Sequence, residues 1–288
     1  MPSKLTRLVS IVIPTYNYAH FLSESIESVL SQTYGNLELI IVDNFSTDHT
    51  EDLVKSFDDA RIKFFQYENS GSIAAARNFG WSRATGHVVA FLDADDSWHP
   101  KKLSLQMSRH TSNYGISHHD LRLFGNRGFG RAKGRRVKGK PVVEMLTGGN
   151  PILTSSVLIN RHLLESSGGF PENLEIVSAE DLALWLRIGE LGAEFVYIPK
   201  ALGRYRLHES SSSSGRSALA AKLVTNEYRE ILSKKQAARL DGWMAYAQGI
   251  SAISKRDKRL QFVEALLKSN FRYKWRASLR IIIPNAWN

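Results

Sequence analysis

The sequence predicts an α/β fold: a mostly parallel sheet flanked by helices, with a helical extension at the C-terminus. Three observations carry this. Over the first hundred residues, short apolar runs alternate with segments of helical spacing, the pattern of a parallel sheet covered on both faces. Three of the runs are followed by polar clusters, which a parallel sheet lines up along one edge. All the excess positive charge sits beyond residue 210, which sets that segment apart.

The elements follow in order. Residues 8–13 form a β-rich run stopped by Pro14, and Leu22, Ile26, Val29 and Leu30 then keep helical spacing. Residues 37–42 are the next buried strand. Residues 47–57 predict a helix with Thr47 or Asp48 as its cap. A third strand covers 61–67, a helix 72–83 and a fourth strand 87–92. No internal repeat is present.

A chain of 288 residues can bury a full core, and predicts one large domain with a smaller appendage. No apolar run approaches the ~18 residues a membrane span needs. Residues 1–7 lead straight into the first strand pattern, without signal-peptide architecture. With no cysteine, disulfides and thiolate metal sites are excluded, and a cytoplasmic location is expected. From Ser211 onward there are 15 Lys and Arg against 5 Asp and Glu; the whole chain has 38 and 28, leaving 23 of each for residues 1–210. A boundary is therefore expected at the serine run 210–214 and Gly215.

Chemistry concentrates at the strand ends. The first gives Pro14-Thr-Tyr-Asn17, the second Asp43-Asn-Phe-Ser46 and the fourth Asp93-Ala-Asp-Asp96. Carboxylates as close as Asp93, Asp95 and Asp96 repel unless a cation lies between them. A hard divalent cation sharing its shell with phosphates would answer that. The alternative is that Asp95 or Asp96 caps a helix around residues 100–103. Asp43 can accept a hydrogen bond from a base N–H, Tyr16 offers a stacking face, and Asp93 can hold ribose hydroxyls. Arg77 can pair with a diphosphate through its fork of donors. Each has a structural alternative: Asp43 as a turn cap, Tyr16 as core, Arg77 as a surface ion pair.

Residues 9–108 resemble the nucleotide-binding half of a family-2 glycosyltransferase of the GT-A fold, which is Rossmann-like. The matching stretches are Val9-Ser-Ile-Val-Ile-Pro-Thr-Tyr-Asn17, Ser28-Val-Leu-Ser-Gln-Thr-Tyr34 and Ile41-Val-Asp-Asn-Phe-Ser-Thr-Asp48. They continue with Asn69-Ser-Gly71, Ala76-Arg-Asn-Phe-Gly80 and Phe91-Leu-Asp-Ala-Asp-Asp-Ser-Trp98. The resemblance implies a nucleotide-diphosphate sugar donor and a Mn2+ or Mg2+ ion. It assigns donor contacts to Pro14, Thr15, Tyr16, Asn17, Asp43, Asn44, Ser46, Arg77, Asp93, Ala94 and Asp95. Within that set Asp43 reads the base, Arg77 meets the phosphates, and Asp93 the ribose or sugar. Asp95, Asp96 and His208 are the implied metal ligands. Asn44 stands where the family often has a second Asp.

Ala179-Glu-Asp-Leu-Ala-Leu-Trp-Leu-Arg187 resembles the family's acidic pair opening a helix. Since the family inverts by direct displacement, the resemblance implies Asp181 as base and Glu180 as the group positioning the acceptor. The alternative is that two acids in a first turn complement the helix dipole. Arg204-Tyr-Arg-Leu-His208 resembles the family's late strand carrying a histidine. His118, His119 and Asp120 lie on an expected strand, where neighbours face opposite ways, so no metal site is expected there. The basic, Gly-rich residues 126–140 read as a mobile loop over the acceptor side, or as a solvated one.

Residues 219–267 are mostly helix-forming. Phe271, Trp275, Leu279 and Ile282 then share one helical face, with Arg272, Arg276 and Arg280 elsewhere. This suits an anionic membrane surface, or packing on the catalytic domain or a second subunit of a homo-oligomer.

The expected organisation is a GT-A catalytic domain over 1–210, with a nucleotide-binding half (1–110) and an acceptor-binding half (111–210), followed by a basic helical tail (211–288). The expected function is inverting transfer of a UDP- or dTDP-linked sugar to a saccharide or lipid-linked saccharide, in surface polysaccharide or glycolipid assembly. Location is expected in the cytoplasm, peripheral on the inner face of the plasma membrane. One alternative is a nucleotidyltransferase, which would carry a Gly-rich loop after the first strand. The other is a nucleic-acid-binding protein using the basic tail. No nucleic acid is expected under the leading reading.

Overall fold

The computed structural model describes residues 7–110, 115–125, 129–208 and 216–254. The membrane-facing stripe expected at Phe271, Trp275, Leu279 and Ile282, the serine run, and residues 126–128 of the basic loop lie outside the described residues.

The first half alternates as the sequence predicts: β1 (Val9–Thr15), α1 (Ala19–Leu30), β2 (Leu37–Asp43), α2 (Thr50–Ser56), β3 (Ile62–Gln66), α3 (Ile73–Ser82) and β4 (Val88–Phe91). β1 pairs with β2 and β4, and β2 with β3, all parallel. β1, β2 and β4 are buried along their whole length, because alternate side chains enter different cores. Ile11 and Ile13 join Leu22, Ile26 and Val29 of α1 on one face. Val12 joins Val42, Phe91 and the larger cluster on the other. Gly80 lets α3 lie close on the sheet, since a methyl there would meet Val12 at 2.4 Å.

The expected helix at 47–57 starts at Thr50. Asp48 is why: its Oδ1 accepts the Thr50 N–H, and its Oδ2 the N–H of Ala19, each at 3.1 Å. One carboxylate thus serves two helix starts.

The second half is mixed. It comprises β5 (Ser97–Trp98), α4 (Lys102–Met107), β6 (Gly115–Gly125), β7 (Gly130–Ala132), α5 (Pro141–Gly148), a 3-10 turn (Thr154–Ser156) and β8 (Leu158–Asn160). Then come α6 (Arg161–Ser167), a turn (Leu174–Ile176), α7 (Glu180–Glu190) and β9 (Glu194–Leu207). The sheet order is β3-β2-β1-β4-β8-β6-β9-β5, with β7 beside β6. β8 runs antiparallel to β4, and β9 parallel to β6.

α8 (Arg216–Asn226) and α9 (Lys234–Ser254) complete the described chain. Ala220, Ala221, Val224, Leu240 and Met244 are buried in the same cluster as Val142 and Met145 of α5 and Leu182 of α7. The division drawn at residue 210 from charge therefore does not coincide with an edge of the core. Among the described residues no helix is long and apolar enough to cross a membrane.

Candidate active site

The C-terminal ends of β1, β2 and β4 open on a cleft of about 350 Å³, at the point where the strand order reverses between β1 and β4. Pro14, Thr15 and Tyr16 reach it from β1, Asn44 from β2, and Asp93, Ala94 and Asp95 from the loop after β4. Tyr16 is half exposed, which excludes the core alternative. With Phe45, also exposed, it flanks a shallow hollow beside the cleft, where Asn44, Glu68 and Ser70 join them.

Other members of the predicted set build the walls rather than face the opening. The Asn17 N–H donates to Ser46 Oγ at 2.8 Å, and its Oδ1 accepts the Thr47 N–H at 2.7 Å. The Ser46 N–H donates to Asp43 at 3.0 Å, and its hydroxyl bonds the same carboxylate. Asp43 is fully buried and turned into this loop, the turn-capping alternative; it does not line the cleft. Asn44 does, while its Oδ1 accepts the Asn69 N–H at 3.0 Å.

The acidic loop is clamped from four sides. Ser25 of α1 donates to the carbonyls of Ala94 (2.7 Å) and Asp96 (2.6 Å). Ser155 Oγ accepts the Asp93 N–H at 3.2 Å. Arg206 of β9 donates its Nε–H to the Asp95 carbonyl (2.9 Å) and its backbone N–H to Asp96 Oδ1 (3.0 Å). Asp95 Oδ2 meets His208 Nε2 at 2.7 Å. Neither Asp95 nor Asp96 caps α4, where Gln32 Oε1 accepts the Leu103 N–H at 3.0 Å. Asp96 is buried behind the cleft wall, so of the three expected metal ligands only Asp95 and His208 face one another. Burial and the charge of Asp93 push the Asp95 carboxyl up, against the His208 hydrogen bond; burial and Asp95 push Asp96 well up.

Arg77 was expected at the phosphates. It is instead buried, donating to Asp93 Oδ1 at 2.7 Å and to Glu180 Oε1 at 2.9 Å. Burial works against its charge, and the two carboxylates more than offset this. It bridges the loop after β4 to the first turn of α7. Glu180 accepts the Ser178 N–H at its other oxygen, at 2.7 Å, so both of its oxygens already hold groups of the protein in place. It holds Ser178, at φ +75°, a backbone state uncommon for serine. Asp181 differs: it is partly exposed and accepts from Asn150 Nδ2 at 2.9 Å and Thr154 Oγ1 at 3.4 Å. Burial and the neighbouring Glu180 charge push it up to about 7, with Arg77 opposing. A carboxylate at that value can take a proton near neutrality.

Sequence reasoning missed Tyr18 and Tyr205, which line the cleft, and Asn150 beside Asp181. Burial pushes the Tyr205 phenol up, and Asp96, Asp93, Asp95 and Asp181 add to it, so it stays a hydrogen-bond donor. Strand alternation away from Arg204 and Arg206 was a signal for Tyr205; nothing local marked Asn150. His118, His119 and Asp120 are buried in β6. Asp120 accepts from Tyr197 and from the Gly134 N–H, both at 2.7 Å, and pairs with Arg131 at 2.5 Å. That clamp, and Arg135 donating to the Gly149 carbonyl at 2.9 Å, tie down the part of the basic loop expected to be mobile. A wider groove of about 810 Å³ runs along α1 and β9, but its Glu24 is taken by Ser97, Arg204 and Arg206, leaving no comparable reactive set.

The model of the Glycosyl transferase family 2 matches residues 10–158. The Escherichia coli UDP-Glc:alpha-D-GlcNAc-diphosphoundecaprenol beta-1,3-glucosyltransferase WfgD is 35% identical over 221 residues, 73% of this chain and 81% of its own. The fold is similar to that of Staphylococcus aureus TarS in complex with UDP-GlcNAc, at a TM-score of 0.63 and 21% identity, covering 93% of this chain and 83% of that one. It is similar also to the mannosyltransferase PcManGT of Pyrobaculum calidifontis, in complex with GDP-Man and Mn2+, at 0.63 and 18%, covering 95% and 84%.

Proposed function

The chain belongs to glycosyl transferase family 2, and on that premise we propose that it moves a sugar from a uridine or thymidine diphosphate donor to a hydroxyl of a saccharide or lipid-linked saccharide, with inversion, in surface polysaccharide or glycolipid assembly. The carrying observation is the Asp93–Arg77–Glu180 bridge. It joins a nucleotide-sized cleft to a carboxylate, Asp181, poised near neutral pH.

The base would lie against Tyr16 and Phe45, with Asn44 at its edge, and the diphosphate and sugar would run toward Asp93, Asp95 and Tyr205. Asp181 takes the proton of the acceptor hydroxyl as its oxygen attacks the anomeric carbon, and the bond to the diphosphate breaks on the opposite face. Tyr205 remains an O–H donor to sugar or phosphate oxygens.

The donor set suits a hard divalent cation, because Asp93 and Asp95 crowd charge that one would relieve. Asp95 and His208 would hold Mn2+ or Mg2+, which when bound would offset charge growing on the leaving diphosphate. Among the described residues no three His, Cys, Asp or Glu side chains gather as a ligand set, so donor oxygens and water would fill the remaining shell. Support comes from WfgD, named for a diphosphoundecaprenol-linked acceptor, and from PcManGT, with GDP-Man and Mn2+. A lipid-linked acceptor would keep the enzyme peripheral on a membrane surface, which suits the basic C-terminal segment.

A thermal-shift panel of nucleotide diphosphates and their sugars, with Mn2+ and with chelator, tests the donor site. A ligand at a hundred times its Kd is expected to add about 2.7 kcal/mol to stability, and so raise the melting temperature by several degrees for one base only. No shift with any nucleotide would remove the donor assignment.

A further inference from the structure

Asn150 lies just beyond α5, at the surface, yet its side chain is held at both ends. Its Nδ2–H donates to Asp181 Oδ2 at 2.9 Å, and its Oδ1 accepts the Ile152 N–H at 3.0 Å. The backbone beneath it is equally fixed. Gly149 sits at φ +79°, and a methyl there would come within 2.4 Å of Trp243 Nε1, so only glycine fits under the indole. Trp243 is in α9, packed against the main core. On the same peptide, Arg135 donates to the Gly149 carbonyl at 2.9 Å.

Resting on the proposed role of Asp181, we infer that Asn150 is the positioning residue for the catalytic base, and that α9 sets it through Trp243 and Gly149. A proton acceptor must be aimed at its hydroxyl; an unrestrained carboxylate on a first turn samples several rotamers. Donation from the amide also favours the ionised form, the one that accepts the proton. The other titratable and charged groups facing Asp181 are Glu180, Arg77 of α3 and Tyr205 of β9. None of these donates a hydrogen bond to it among the described residues; the Leu182 N–H holds Oδ1 at 2.7 Å, and at Oδ2 the Thr154 hydroxyl stands at 3.4 Å against 2.9 Å for Asn150, which makes Asn150 the nearer side-chain donor. The segment set apart by its charge thus contains a helix that the reaction needs.

The test uses the full chain as Asn150→Ala, Trp243→Ala and Asp181→Asn, with steady-state kinetics from about pH 5 to 9 and melting curves for each. Asn150→Ala is expected to lower kcat by about ten- to hundredfold and leave the donor KM unchanged. It should also move the acid limb of the rate profile to higher pH, because losing a bond to the carboxylate raises its pKa. Trp243→Ala should show the same pattern more weakly. Wild-type kcat and limb in Asn150→Ala, with Asp181→Asn inactive, would overturn the inference alone; so would a fall in kcat with the limb unmoved. Full turnover by Asp181→Asn would remove the base assignment, and this inference with it.

Discussion

The two ends of the parallel half of the sheet treat buried carboxylates in opposite ways. At the N-terminal end, Glu38 of β2 accepts from Ser10 Oγ (2.6 Å), the Thr85 N–H (2.6 Å), Thr85 Oγ1 (2.8 Å) and Lys63 Nζ (2.6 Å). Burial pushes its carboxyl up, and these four donors override it, down to about 2. At the C-terminal end, Asp95, Asp96 and Asp181 are all pushed up, and Asp96 Oδ2 has no hydrogen-bond partner among the described residues. The first end resolves its charge within the protein. At the second, burial and neighbouring carboxylates hold the carboxyls up, the pattern expected of groups poised for chemistry rather than of groups that hold a fold.

The most severe way to break that contrast is at Asp181. Asp181→Asn is expected to cut transfer by about 10³-fold, with nucleotide diphosphate affinity within about twofold of wild type, measured by turnover and calorimetry. In the wild type, kcat/KM should rise with pH through about 7 as Asp181 loses its proton. Its stability effect has the opposite sign to activity. Because the folded value lies above the unfolded one, ionisation costs stability as pH climbs from about 4 to 7. Asp181→Asn should therefore melt higher than wild type at pH 8 and equally below pH 4, by about 1–2 kcal/mol once partial exposure is discounted. Loss of stability at pH 8 would show that the carboxylate is structural.

A smaller effect sharpens the comparison at His208. If Asp95 and His208 share a cation, His208→Ala should raise the Mn2+ concentration for half-maximal activity by about ten- to hundredfold, with the apoprotein melting temperature little changed. An unmoved Mn2+ titration would take the cation away from this pair.

The same contrast explains what the sequence could convey. The β1 to β4 half and its polar strand ends were legible because apolar runs, helical spacing and clustered acids are local. The mixed pairing of β8, β6 and β9 was not, since those contacts join residues far apart in the chain. Arg77 shows the limit. Its place on α3 could be read, but Glu180 lies 103 residues away, and only the fold turns a phosphate candidate into a buried bridge. Charge reports the solvent face of a helix; beyond residue 210, Ala220, Val224, Leu240 and Met244 report the other face, which is core.

The smallest effect falls at the N-terminal end, where the outcome should be stability alone. Glu38→Gln keeps the shape but removes the charge that Lys63, Ser10 and Thr85 are arranged around. A loss of about 2 kcal/mol follows for a buried charged hydrogen-bond centre, read as a lower denaturation midpoint at pH 7. Turnover per folded molecule should be unchanged. The folded value of Glu38, about 2, lies below its unfolded one, so its contribution is present above about pH 4.5 and lost as pH falls toward 2. The wild type should lose stability across that window, and Glu38→Gln should lose less. If Glu38→Gln instead lowered kcat with the fold intact, the two ends would be coupled through β2, and the division between a structural end and a reactive end would fail.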